Sequence, residues 1–134
     1  MRRARCFLKR TGTVTNRTED SEQIAVIGYC DAVGIPVVHI PNEGKRSYRY
    51  GAQLKAMGLR RGFPDLFIPQ ARLGYYGLFI EMKAGRGRLS EYQREWLRRL
   101  NEYGYAVAVC YGADEAITKI RRYMDGKQKD DTCD

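Results

Sequence analysis

The chain has 134 residues, of which 43% are hydrophobic and 30% are charged, a composition that fits one folded domain rather than a disordered chain. Its net charge of +8 favours a polyanionic partner, while the lack of a long apolar run or a secretion-like N-terminus argues against a membrane partner and against secretion. The four cysteines are scattered without a C-x-x-C pair, which argues against a zinc ribbon or redox motif and favours reduced thiols in a cytoplasmic protein.

The first predicted element is a helix that follows a basic, polar arm. Residues 1–19 carry six arginines and lysines, and they either contact phosphates or form a solvated tail. The helix spans residues 20–33, with Asp20 or Ser21 as its N-cap and Gly34 at its end. Its apolar stripe is predicted to contain Ile24, Ile27 and Cys30 or Asp31. Glu22 lies in the first turn, where a carboxylate favours the helix dipole.

Residues 35–40 are predicted to form a strand, and Pro36 places it at an edge or makes this point its start. The only histidine, His39, is expected to pack or form a hydrogen bond, with phosphate contact as the second interpretation. A single histidine cannot by itself build a histidine-based metal site. Residues 41–44 have the composition of a loop.

A second helix is predicted over residues 45–57 and ends at Gly58. Helices normally mix charge signs for solubility, yet this segment and the turn after it contain basic residues and no acid. Phosphate binding is therefore favoured over a merely solvated face, with Tyr48 and Tyr50 placed to contact sugars or bases. The basic residues are Lys45, Arg46, Arg49, Lys55, Arg60 and Arg61.

Two apolar strands, residues 65–68 and 75–83, carry the candidate chemistry. Asp65 lies at the start of the first strand, and Glu81 and Lys83 share one face of the second. Converging carboxylates can hold a hard cation such as Mg²⁺, and a neighbouring lysine can orient water or stabilise charge on a phosphate. The alternative is a pair of charges on a solvent-exposed face, but the apolar run around Glu81 predicts partial burial.

The segment after Lys83 predicts a basic loop and a third helix. Residues 85–88 form a flexible loop without P-loop spacing, so no nucleotide cofactor is expected. Ser90 and Gln93 have the spacing of a capping box. The buried stripe of the helix is predicted to contain Tyr92, Trp96, Leu100 and Tyr103, with Leu97 beside it, so Trp96 is assigned to the core rather than to base stacking.

The last predicted elements are a strand and a helix. Residues 105–110 form a nearly continuous apolar run, as expected inside a covered sheet. Residues 113–124 form a helix with Ile117, Ile120 and Met124 facing inward. The order of elements predicts an α/β fold with a mixed central sheet, a hairpin between the two strands that carry the candidate chemistry, and a parallel pairing with the last strand.

Pro64-Asp65 followed by Glu81-x-Lys83 resembles the core motif of the PD-(D/E)xK nucleases. The segments at residues 41–43, 58–62 and 85–93 make the resemblance more specific, because they occur in the same order. Together these motifs are similar to the VRR-NUC branch, the virus-type replication-repair nucleases. The resemblance divides the chain into a basic arm at 1–19, a nuclease domain with a restriction-endonuclease-like core at 20–124 and a polar tail at 125–134.

The resemblance also implies roles for individual residues. Mg²⁺ or Mn²⁺ would be held by Asp65, Glu81 and the backbone carbonyl of Met82, with Glu22 completing the acidic site. Lys83 would assist the attacking water. Gln93 would support the site, although capping alone also explains it. Asn42 would reach metal-bound water or the DNA backbone, or serve only in its loop. The candidate DNA-binding residues are Asn42, Lys45, Arg46, Arg49, Arg60, Arg61, Arg86 and Arg88.

The function implied is that of a metal-dependent endonuclease on branched DNA, acting as a homodimer that resolves four-way (Holliday) junctions in DNA repair. The resemblance places such a protein in the cytoplasm of a bacterial or virus-infected cell. Two alternatives stay open: a flap- or nick-type nuclease, and a non-catalytic DNA-binding subunit with a nuclease fold. The intact Asp65, Glu81 and Lys83 set argues against the second.

Overall fold

The computed structural model describes residues 18–42 and 48–126. Within these ranges the chain forms helices and strands in the order that the sequence predicts. The helices are α1 (Glu19–Val33), α2 (Tyr48–Ala56), α3 (Glu91–Glu102) and α4 (Ala113–Met124), and the strands are β1 (Val38–His39), β2 (Leu66–Ile68), β3 (Leu78–Lys83) and β4 (Ala106–Tyr111). No helix in the described part of the chain is both long and apolar enough to cross a membrane.

The strands of the described residues form one mixed sheet in the order β1-β2-β3-β4. β2 pairs antiparallel with both β1 and β3, which confirms the predicted hairpin. β3 and β4 are parallel, with Leu78 opposite Ala106 and Lys83 opposite Tyr111, and α3 makes the crossover between them. A parallel neighbour requires such a crossover, so the α/β prediction is confirmed.

Both faces of the sheet are covered, and all six residues of β3 are buried. On one face, the side chains of Leu78, Ile80 and Met82 pack in a core with residues of α1 and α4. On the other face, Phe79 contacts Phe63 and other aromatic rings on the side of α3. Because Glu81 and Lys83 alternate with the core residues, they lie on the α3 side.

The first helix differs from the sequence prediction in its cap and in its buried face. Its N-cap is Thr18, whose Oγ1 accepts a hydrogen bond from the Ser21 backbone N–H at 3.1 Å, rather than Asp20 or Ser21. Ile24 is 71% exposed, so its place in the predicted stripe is wrong, whereas Cys30 is buried and Ile27 packs against the core as predicted. The buried residues are Glu22, Val26 and Cys30, spaced by four. The stripe was misplaced because its first member is a carboxylate.

Three strands are shorter than predicted. Residues 35–37 precede β1 because Ile35 N–H still bonds the Cys30 carbonyl at the end of α1 and Pro36 has no N–H to donate. β2 begins at Leu66, one residue after Asp65. Residues 75–77 precede β3, with Tyr75 paired to Arg72 in a local turn and Tyr76 N–H bonded to the Gly104 carbonyl.

The buried face of α3 also differs from the prediction. Tyr92 is 53% exposed and Tyr103 is 54% exposed, whereas Gln93 is buried together with Leu97 and Leu100, whose burial was predicted. Trp96 is half-buried, and its ring contacts Phe63. The helix is rotated relative to the prediction because the polar Gln93 faces the sheet. The inward assignment of Ile117, Ile120 and Met124 in α4 is confirmed.

Candidate active site

Asp65 lies immediately before β2 and contacts the backbone of β3. Its Oδ2 accepts a hydrogen bond from the Met82 backbone N–H at 2.8 Å. The pairing of β2 with β3 ends at Leu66 opposite Ile80, so the Asp65 carboxylate occupies the position where a longer β2 would continue. The carbonyl of a strand residue projects from the same edge as its N–H, so the Met82 carbonyl also faces Asp65.

Glu81 and Lys83 are buried beside each other, which rules out the alternative of a solvent-exposed charge pair. Glu81 is 3% exposed and Lys83 is 8% exposed. Lys83 Nζ lies 3.8 Å from Glu81 Oε1, and the same oxygen accepts a hydrogen bond from Gln93 Nε2 at 2.8 Å. Buried charges persist only when paired and hydrogen-bonded, because desolvation of each is costly. The three side chains therefore form one polar cluster.

Gln93 makes the contacts that both of its predicted roles require, while its support of catalysis stays a prediction. Its Oε1 accepts from the Ser90 backbone N–H at 2.9 Å, and its own backbone N–H donates to Ser90 Oγ, so the capping box is complete. Its Nε2 meanwhile donates to Glu81. A glutamine amide has separate donor and acceptor atoms, so one side chain can cap the helix and hold the carboxylate.

Glu22 has a partner that the sequence did not suggest. It is 7% exposed, and its Oε2 accepts a hydrogen bond at 2.6 Å from the backbone N–H of Ala113, the first residue of α4. The N-cap of α4 is Gly112, which has no side chain to serve this N–H, so the carboxylate supplies the helix terminus with negative charge. The predicted metal role of Glu22 stays a prediction.

No group of three His, Cys, Asp or Glu side chains comes together as a metal site within residues 18–42 and 48–126. The polar atoms around Asp65 instead include backbone and amide oxygens. A cavity of about 110 Å³ is lined by Asp65 and Met82 together with Glu19, Asp20, Gln23, His39 and Asn42. Sequence reasoning missed Glu19 and Asp20 here; their place in the same first turn as Glu22 was the available signal.

The donors at this cavity fit a hard divalent cation. Asn42 Nδ2 donates to the Phe63 carbonyl at 2.9 Å, while its buried Oδ1 has no hydrogen-bond partner among the described residues. With the Asp65 carboxylate and the Met82 carbonyl, this oxygen makes an all-oxygen set of the kind that Mg²⁺ and Mn²⁺ prefer. His39 Nδ1 lies 2.9 Å from the Asp65 carbonyl oxygen, which confirms the predicted hydrogen-bonding role of that ring.

The buried cysteines take no part in this chemistry. Burial raises the pKa of the Cys110 thiol to about 11, and Glu115 contributes in the same direction. Burial also raises the pKa of Cys30. Both thiols are therefore protonated at neutral pH, which disfavours thiolate nucleophiles and thiolate metal ligands at these positions.

The predicted DNA-binding residues fall in three places. Lys45 and Arg46 lie outside the described residues. Arg49 is exposed on α2, and Arg86 and Arg88 are exposed in the loop that follows Lys83. Arg60 and Arg61 line a second cavity together with Asn42, which also lines the cavity at Asp65. The described basic side chains are thus distributed on both sides of the candidate active site along the chain.

A mixed sheet covered by helices on both faces, with an acid before one strand and Glu-x-Lys at the end of its neighbour, defines the restriction-endonuclease-like core. The sequence model of the VRR-NUC domain matches residues 22–114, more than half of the chain, so the chain belongs to the VRR-NUC family of nuclease domains. A solved structure named "VRR_NUC domain protein" is 29% identical, with a TM-score of 0.71 over 86% of this chain and 98% of that one. No curated protein matches the chain.

Proposed function

We propose that the protein is a Mg²⁺- or Mn²⁺-dependent endodeoxyribonuclease. The observation that carries the proposal is the hydrogen bond between Asp65 and the backbone of Met82 in β3. The residues on either side of Met82, Glu81 and Lys83, belong to a buried, hydrogen-bonded cluster. Membership of a nuclease family makes DNA the expected substrate class. Glu81 and Lys83 are buried, whereas a purely decorative role would favour exposure to solvent.

Each side chain of the proposed site has a separate role in phosphodiester hydrolysis. A bound cation supplies Lewis-acid polarisation of the phosphoryl oxygen and lowers the pKa of bound water. Asp65 and the Met82 carbonyl would hold that cation. Glu81 would be the second carboxylate, as the family resemblance implies. Lys83 holds its ammonium beside Glu81, where it orients the attacking water or stabilises charge on the phosphate. Gln93 fixes the Glu81 carboxylate.

Incubation of the protein with end-labelled DNA tests the proposal directly. A duplex, a flap and a four-way junction are each incubated with Mg²⁺, with Mn²⁺ and with EDTA. Cleavage that requires a cation is expected, and the relative cleavage rates rank the junction against the flap and the duplex. Binding without cleavage in every metal would leave the non-catalytic subunit as the better description.

The finer proposal is a homodimer that makes paired incisions in a four-way junction. The sequence holds one copy of the motif, so a second site requires a second subunit, and a twofold dimer matches the symmetry of a junction. The outer edge of β4 supports this arrangement: among the described residues β4 pairs with β3 alone, and the edge borders a groove of about 560 Å³. An unpaired apolar edge is a template for association.

The charges of α4 favour a second copy at this edge. Asp114 and Glu115 lie at one end of the groove, and Lys119 and Arg122 lie farther along the helix. In an antiparallel twofold arrangement the acidic end of one copy faces the basic end of the other, a complementary pairing. Light scattering at micromolar concentration is expected to report a dimer. The double variant Lys119→Glu, Arg122→Glu is expected to shift the equilibrium toward the monomer. A wild-type monomer, both free and on a junction, would contradict the dimer.

The capping box allows the two roles of Gln93 to be separated by mutation. Gln93→Ala is expected to lower the free energy of unfolding by about 1–3 kcal/mol, because a cap is lost and Glu81 loses a buried donor. It is also expected to reduce cleavage well below the melting temperature. Ser90→Ala is the matched control, since it removes the hydroxyl of the same capping box but leaves the Gln93–Glu81 bond. Equal activity of the two variants would limit Gln93 to capping.

Arg86 and Arg88 are expected to contact DNA phosphates, because they are exposed in the loop directly after Lys83. Replacing both with Gln should weaken binding to any DNA and reduce the slope of log K against log salt by about 2. Arg98→Gln is the control, since that exposed guanidinium is paired with Glu95 and Glu102. The measurement is the DNA-binding constant of each variant over a series of salt concentrations. An unchanged slope in the double variant would remove this loop from the interface.

A further inference from the structure

A groove beside the candidate active site combines the predicted DNA-binding residues Arg60 and Arg61 with aromatic side chains that were not predicted to bind DNA. It has a volume of about 450 Å³ and lies between the end of α2, the turn that follows it and the first turns of α3. Its basic members are Lys55, Arg60 and Arg61, and its aromatic members are Tyr92 and Trp96. None of the described residues that line it is acidic.

The groove adjoins the cavity at Asp65. Asn42 lines both cavities, so a molecule in the groove would approach the candidate metal centre at that residue. The groove and the centre are also fixed relative to each other. A Cβ on Gly62 would lie 2.6 Å from the Tyr92 carbonyl carbon and 2.7 Å from Gln93 N, so this turn is in close backbone contact with α3.

The two aromatic side chains of the groove differ in exposure and in their contacts. Tyr92 keeps 53% of its surface exposed, although a stripe pattern placed it in the core. The guanidinium of Arg61 lies 4.5 Å from the centre of the Tyr92 ring. Trp96 packs edge-on against Phe63 at 5.0 Å and carries Arg99 over its ring at 4.6 Å. Guanidinium and aromatic planes are the surfaces on which unstacked bases pack in single-stranded nucleic acids.

We propose that this groove binds an unpaired nucleotide next to the phosphate that is cut, with its base against Tyr92 and its phosphates near Lys55 and Arg60. The proposal rests on the nuclease function proposed above and adds the substrate feature that the site reads. A base inside a duplex has both faces stacked, so it reaches such a surface only after it is unstacked, at a free-energy cost that is smallest at branches and unpaired ends. The groove therefore favours DNA that is unpaired beside the incision.

The lone tryptophan provides a direct measure of occupancy. A short oligothymidylate titrated in EDTA, where metal-dependent cleavage cannot occur, is expected to change the fluorescence of Trp96. Tyr92→Ala should weaken this binding about tenfold to a hundredfold, the range expected for loss of one stacked base. Tyr92→Phe should retain it, because the ring remains. The alanine keeps the Cβ that packs against the turn at Gly62, so the backbone contact is preserved.

Tyr103→Ala is the matched control, because Tyr103 at the C-cap of α3 is equally exposed and does not line the groove. It is expected to bind the oligothymidylate as the wild type does. A blunt duplex of the same length is the second ligand, and Tyr92→Ala should bind it within about twofold of wild type. Unchanged oligothymidylate binding by Tyr92→Ala, or an equal loss for oligothymidylate and duplex, would overturn the proposal.

Cleavage separates this proposal from the one on which it rests. In Mg²⁺, the wild type should prefer a substrate whose nucleotide beside the incision is unpaired over the fully paired duplex, and Tyr92→Ala should lose that preference. Absence of cleavage on every DNA together with Tyr92-dependent binding in EDTA would reject the nuclease function but keep the nucleotide site. Cleavage whose substrate preference does not change in Tyr92→Ala would keep the nuclease function but reject the nucleotide site.

Discussion

Asp65→Asn is expected to reduce DNA cleavage by about a thousandfold or more while leaving the fold intact. The substitution keeps the shape of the side chain, and the amide oxygen can still accept the hydrogen bond from the Met82 N–H. It removes the negative charge that would hold the cation, and a loss of several kcal/mol of transition-state stabilisation corresponds to this factor. Single-turnover cleavage in Mg²⁺ and Mn²⁺ measures the effect.

Binding and stability serve as internal checks on that variant. DNA binding in EDTA and the melting temperature should stay at the wild-type values or rise slightly, because fewer acidic charges crowd the cavity that also contains Glu19 and Asp20. Asp31→Asn, an exposed acid on α1, carries the same change of charge and should cleave normally. Cleavage at the wild-type rate by Asp65→Asn would remove Asp65 from the active site.

Gly62→Ala is expected to cause the largest loss of stability among single substitutions in the turns. Its φ of +82° disfavours a side chain, and the added Cβ would meet the backbone of Tyr92 and Gln93 at 2.6 and 2.7 Å. Strain and overpacking together predict a loss of roughly 2–5 kcal/mol in the free energy of unfolding. Because the same turn precedes Asp65, we also expect reduced cleavage at temperatures where the variant is folded.

Gly58 is the matched control for this substitution. Its φ is +107°, but a Cβ there meets no atom within 4 Å, so Gly58→Ala should show the backbone strain without the collision. Urea unfolding of the two variants isolates the contact between the turn and α3, and the expected loss for Gly58→Ala is about 1–2 kcal/mol. Equal losses for the two variants would show that the close approach at Gly62 is relaxed at little cost.

The fold and the centre of the site could be predicted because both depend on local periodicity. The alternation of side chains along a strand places Glu81 and Lys83 together, and the apolar residues between them predict the burial that is found. The capping box of Ser90 and Gln93 marks the start of α3 to within a residue. The family resemblance rests on these same local motifs, and the match of the VRR-NUC domain model confirms it.

The remaining features depend on contacts between distant segments, which a single sequence does not encode locally. The buried face of α3 includes the bond from Gln93 to Glu81, whereas Tyr92 is exposed. A prediction from the spacing of apolar residues assigns an aromatic residue such as Tyr92 to the buried face and a polar residue such as Gln93 to the exposed face. The partner of Glu22 is 91 positions away in the chain, at the start of α4.

The bond between Glu22 and Ala113 has a consequence for how the domain is synthesised. It joins α1 to α4, and the same two helices cover one face of β3 in a shared core. Contacts between residues so far apart in the sequence form late in folding, because the entropy of closing the loop is lost before the contact stabilises the chain. A nascent chain therefore cannot complete the candidate active site until α4 has left the ribosome, so we expect that ribosome-bound chains ending before residue 113 neither resist protease nor cut DNA.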